Sequence, residues 1–134
     1  VILVDDHLLA ERFRDEGFGP MPSPLATTCC WWWRLSAAVS GGRSGAALTN
    51  RLGDGDLHRA ALAIDALSDV VEIIDIRTLI PMMSRIAATF RLNLPAAEAL
   101  AAATALDADV VVGQDTPRLR EACRVRGITY LVEA

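Results

Sequence analysis

Four carboxylates at three places in the chain have the type and spacing to do chemistry. Asp5 and Asp6 end the apolar run Val1-Ile-Leu-Val4, Glu98 stands near the start of an alanine-rich segment, and Asp115 comes just after the run Asp109-Val-Val-Val112. Oxygen ligands gathered from such positions suit Mg²⁺ or Mn²⁺, hard ions that keep several waters and approach phosphates. An ion held by Asp5, Glu98 and Asp115, with Asp6 as a further ligand, would activate water for phosphodiester hydrolysis. Each acid also has an ordinary use. Asp6, or Asp5, could cap a first helix, Glu98 could complement a helix dipole, and Asp115 could cap a helix beginning near Pro117.

The acids meet only if the elements carrying them bring them to one edge. Val1–Val4 reads as a strand, and 8–16 as an amphipathic helix closed by Gly17-Phe-Gly-Pro20. Pro20-Met-Pro-Ser-Pro24 is a loop, because each proline lacks a donor and restricts the residue before it. Thr27 and Thr28 can cap a helix over 29–39, ended by Ser40-Gly41-Gly42. Helical pieces over 44–52 and 57–67 follow, then a strand over 70–74 and a helix over 77–91 with Pro81 near its start. Pro95 opens a helix to Leu106 that carries Glu98 in its first turn, and 109–112 is an apolar strand of the kind covered on both faces. A helix over 117–126 stops at Gly127, and 128–132 is the last strand. This alternation predicts one α/β domain over 1–134, a parallel sheet wrapped by helices, with Asp5 and Asp115 at the carboxyl ends of its strands.

Composition narrows the function. All thirteen basic residues are arginine, which excludes any mechanism that needs a lysine. A net charge of -4 argues against broad nonspecific nucleic-acid binding, although Arg43, Arg51 and Arg59, or Arg118, Arg120, Arg124 and Arg126, could form local positive patches or simply solvated helix faces. The three cysteines, two of them adjacent, suit neither a disulfide framework nor paired zinc spacing and read as reduced thiols. No segment approaches the roughly 20 apolar residues that span a bilayer, so a soluble cytoplasmic protein is expected.

In the order of its acids the chain resembles a PIN domain, the nuclease fold of the VapC-type toxins of toxin-antitoxin pairs. The resemblance rests on Leu3-Val-Asp5, on Val71-Glu-Ile-Ile-Asp75, on Leu94-Pro-Ala-Ala-Glu-Ala-Leu-Ala-Ala-Ala-Thr-Ala105 and on Asp109-Val-Val-Val-Gly-Gln-Asp115. It implies a three-layer α/β/α fold, Mg²⁺- or Mn²⁺-dependent cleavage of RNA, a homodimer and a small antitoxin partner. Three departures accompany it. Glu98 replaces the family's usual Asp, Gly113-Gln114 replaces a Thr-containing lead-in, and the second family acid is absent from 27–35, where Arg34 is the nearest match. An arginine there would neutralise a carboxylate or contact phosphate. A catalytically degenerate PIN-like interaction module is the alternative. Ile2-Leu-Val-Asp-Asp-His7 is also similar to the opening of a response-regulator receiver, with Asp75 as phosphoacceptor, but a receiver requires a lysine that this chain lacks.

Successive helical side chains diverge by about 100°, so Trp31, Trp32 and Trp33 cannot all face one core, and at least one should reach the surface or a partner. His7 and His58 read as isolated surface residues.

Overall fold

The computed structural model describes residues 1–15, 24–40, 61–62 and 64–133. The expected helix over 44–52, the Arg43, Arg51 and Arg59 cluster, and His58 lie outside them.

The strands are β1 (Ile2–Val4), β2 (Leu25–Thr27), β3 (Glu72–Ile73), β4 (Asp109–Val112) and β5 (Tyr130–Val132). All pair in parallel, in the order β3-β2-β1-β4-β5. Leu3 sits opposite Ala26 on one side and Val110 on the other, so β1 is central and every carboxyl end points to the same edge. The α-helices among the described residues include α1 (Asp6–Asp15), α2 (Cys29–Val39), α3 (Ile76–Phe90), α4 (Leu94–Leu106) and α5 (Pro117–Arg126).

Alternation along the central strands divides the core in two. Leu3, Ala26, Val110 and Val112 pack against Leu79, Met83 and Ile86 of α3, the alanines and Leu100 of α4, and Leu119 and Cys123 of α5. Val4 and Val111 turn to the opposite face, where they meet Leu9 of α1, Leu35 of α2, Ile64 and Leu67. Strand side chains alternate between sheet faces, and this yields helix layers on both sides of the sheet. Helix α4 is buried on nearly every side, from Ala96 to Ala103, because its small residues let neighbouring backbones approach closely.

The expected α/β architecture is present, with one strand more than the sequence suggested. Leu25-Ala-Thr27 lies between the loop that ends at Pro24 and the cap candidates Thr27 and Thr28, and its three residues show no periodicity. It becomes strand because β1 and β3 pair with it on either side, and Thr27 Oγ1 donates to the Val4 carbonyl at 2.8 Å. This topology also overturns the receiver reading. Receivers place the first strand between the second and third, whereas β1 here lies between β2 and β4. Asp75 follows edge strand β3, caps α3 by accepting the Arg77 N–H at 3.0 Å, and pairs with the Arg77 guanidinium at 2.9 Å. No described helix is long and apolar enough to cross a membrane.

Candidate functional site

Adjacent β1 and β4 place Asp5 beside the turn that follows β4. Its Oδ1 accepts the Gly113 N–H and the Leu8 N–H, each at 2.9 Å, and its Oδ2 accepts the Gln114 N–H at 3.2 Å. Asp5 is therefore both the cap of α1 and the tie between α1 and the β4–α5 turn. The approach is close. A Cβ on Gly113 would stand 2.9 Å from His7 Cβ and 3.1 Å from the Leu8 nitrogen. His7, expected at the surface, is buried beneath this contact.

Asp6 opens α1 and is buried, with Arg34 Nε 3.1 Å from its Oδ2. The pair is a coulombic contact without a well-directed hydrogen bond, since Oδ2 has no donor aimed at it. Burial consequently dominates and pushes the Asp6 carboxyl up to about 6; Arg34 pulls it down and Asp5 adds to the rise.

Glu98 is fully buried on α4, one residue past the first turn expected for it, because the helix starts at Leu94. Its Oε2 accepts the Cys29 N–H and its Oε1 the Cys30 N–H, both at 2.9 Å. These are unpaired donors at the start of α2, and Thr28 Oγ1 takes a third from Trp31 at 3.1 Å. A carboxylate at a helix N-terminus also complements the dipole. Burial, reinforced by Glu98, pushes the Cys30 thiol up to about 12, which makes it a poor nucleophile.

Asp115 is exposed. It pairs with Arg120 at 2.5 Å and accepts the Tyr130 hydroxyl at 3.1 Å, while Tyr130 in turn accepts the Thr116 N–H at 2.9 Å. The cap position of α5 belongs to Thr116, so Asp115 braces the turn between β4 and α5 without capping it.

Each acid of this edge has partners of its own. Asp5 and Glu98 each give both oxygens to backbone N–H groups, Asp6 faces a guanidinium, and Asp115 faces an arginine and a tyrosine. Among the described residues no three His, Cys, Asp or Glu side chains are grouped to hold a metal ion. Asp5, Asp6, Glu98 and Asp115, the residues expected to converge on Mg²⁺ or Mn²⁺, each have partners of their own in this structure. A divalent ion needs lone pairs facing one point, and these carboxylates face separate backbone and arginine partners. This donor set does not fit the ion that the resemblance implies. Gly113 and Tyr130 were missed in the sequence; the only signal was a glycine placed between an apolar strand and an acid.

No protein-family profile and no curated protein sequence matches the chain. Among solved structures it is similar to VapBC-1 from nontypeable Haemophilus influenzae, with a TM-score of 0.58 and 12% identity, over 98% of this chain and 96% of that one. The fold is PIN-like. At that identity the likeness extends to the fold alone, and the acids read in the sequence fall on this PIN-like fold at the carboxyl edge of its sheet.

Proposed function

We propose that this chain is a PIN-like domain of the toxin-antitoxin type that acts by binding a protein partner, with its acidic edge serving as scaffold. The observation that carries this reading is Arg34. It stands beside Asp6, and the sequence resemblance puts it nearest the position of a family acid. A guanidinium beside the buried carboxylate supplies the positive charge that an ion would otherwise bring, and it repels one. The fully engaged oxygens of Glu98 and Asp5 support the same reading. The similarity to VapBC-1 supports an antitoxin-like protein as the partner class.

Metal-dependent cleavage of RNA is the second reading. It is favoured by the burial of Asp5, Asp6 and Glu98 at the carboxyl edge of one sheet, and it would require Asp115 to leave Arg120.

Calorimetric titration of Mn²⁺ into the protein and into Asp115→Asn, beside a labelled-RNA cleavage assay, separates the two readings. The partner-binding reading expects only heat of dilution from both proteins and intact RNA. Mn²⁺ binding that disappears in Asp115→Asn, together with RNA cleavage, would replace it with the nuclease.

A further inference from the structure

The acids of the carboxyl edge are engaged, and two arginines beside them face a cleft. Among the described residues Arg91 and Arg118 have no carboxylate partner; Arg118 Nη1 instead donates to the Arg91 carbonyl at 3.1 Å, which fixes it against the α3–α4 turn. Both line one cleft of roughly 470 Å³ between that turn and the start of α5. A hollow of roughly 60 Å³ shares Asn93 and Thr116 with the cleft and extends it to Arg34. Asn93 spends its carbonyl oxygen on the Ala96 N–H at 3.1 Å, so its NH₂ remains to donate. Thr116 heads α5 without a side-chain cap bond. Among the described residues no acid lines either space. The result is a donor-rich, positive cleft on a chain whose net charge is -4.

We propose that this cleft docks an acidic segment of the protein partner that also carries an apolar side chain, an inference that rests on the partner-binding reading. Carboxylates of the segment pair with Arg91 and Arg118, and its apolar side chain packs on Leu92 and Pro117, which line the cleft. Charge complementarity fixes the sign, since a basic segment meets two uncompensated guanidiniums and no acid. It also distinguishes peptide from nucleic acid. Single strands are held by aromatic platforms along a basic track, but the aromatic ring of this cleft, Trp31, is buried at 5% exposure.

Fluorescence anisotropy with three labelled probes tests the proposal: a peptide of Glu-Leu repeats, its Lys-Leu counterpart, and an RNA of matching length. The acidic peptide should bind at least about tenfold more tightly than either of the others, and about tenfold more weakly to Arg91→Glu/Arg118→Glu, the scale of lost charge-assisted hydrogen bonds. Binding should also fall as the Debye length shrinks from about 8 Å at 0.15 M salt to about 3 Å at 1 M. Arg91→Gln/Arg118→Gln, checked by thermal melting, reproduces the loss if the charge-reversed protein misfolds. Equal or tighter binding of the basic peptide or the RNA, no binding of the acidic peptide, or unchanged binding to a folded variant overturns the proposal. The RNA is also recovered from its titration with Mn²⁺ present. Intact RNA beside a failed acidic probe removes this inference alone, whereas cut RNA removes the partner-binding reading beneath it.

Discussion

Arg34 Nε stands 3.1 Å from Oδ2 of Asp6, joining the start of α1 to the middle of α2 through a carboxylate that is 1% exposed. Removing the cation leaves that carboxylate buried and unpaired. Arg34→Gln should cost about 1–3 kcal/mol at pH 7.5, less than the ~3–5 kcal/mol of a fully enclosed pair because Arg34 keeps contact with water. At pH 5 the loss should shrink to under about 1 kcal/mol, since Asp6 then takes up a proton in both proteins. Urea denaturation of both proteins at the two pH values measures the difference, and an equal loss at each would mean that Asp6 is not the partner that matters.

The raised Asp6 carboxyl has its own pH signature. Its folded value of about 6 lies above the ordinary 3.8, so between those limits the folded state holds a proton that the unfolded state has released. Stability from this group therefore falls as pH rises from about 4 to about 6, by up to about 3 kcal/mol, and is level above that window. Exposed Asp75 and Glu121 are held down by Arg77 and Arg124 and slope the opposite way. The informative quantity is accordingly the difference between the native chain and Asp6→Asn, which should lose the falling limb. Parallel curves across pH 4–6 would contradict the assignment.

Glu98 as a cap predicts a result that a replaceable carboxylate would not give. Glu98→Asp keeps the charge but is one methylene short of the two amides that it now reaches at 2.9 Å. Two donors at the start of α2 then go unmet, costing about 1–3 kcal/mol, and Glu98→Ala should cost about 2–5 kcal/mol with its cavity added. Thermal melts of the two variants decide this, and a Glu98→Asp melt matching the native chain would return the side chain to the pool of free acids.

The layers were legible in the sequence wherever one element states its own pattern. Asp109–Val112 reads as a covered strand, and Pro117 to Gly127 reads as a helix with both ends marked, because these signals are local. What was legible of the site is the place of its acids in the chain. Asp5, Asp6, Glu98 and Asp115 do lie at strand ends or at helices facing them, but a carboxylate that caps a helix is the same residue type as one that binds an ion. Only the partner distinguishes them, and the partners of Glu98 lie about 70 positions away in the chain. Strand β2 was hidden for a related reason, since its three residues owe their conformation to the neighbours on either side.

Gly113 is where two elements nearly touch. An added Cβ meets His7 Cβ at 2.9 Å and the Leu8 nitrogen at 3.1 Å, and the second of these is backbone that cannot rotate away. Gly113→Ala should therefore cost about 1–3 kcal/mol, the usual scale of overpacking. It should also lengthen the amide contacts to Asp5, raising hydrogen exchange at the 113 and 114 N–H groups. Native stability and unchanged protection in this variant would show that the turn shifts freely and that Asp5 does not depend on it.

The tryptophan triplet divides its roles by helical angle. Trp31 is buried at 5% exposure, Trp32 is half-buried and donates Nε1–H to the Ile64 carbonyl at 3.0 Å, and Trp33 is 63% exposed. Trp31→Ala should cost about 3–5 kcal/mol as a core truncation, while Trp33→Ser should change stability by no more than about 0.5 kcal/mol. A large exposed indole is the kind of group that anchors interfaces. Sedimentation therefore provides the second readout. If a second copy of this chain covers Trp33, the serine variant shifts toward the monomer at equal concentration, and an unchanged sedimentation coefficient places Trp33 outside any self-association surface.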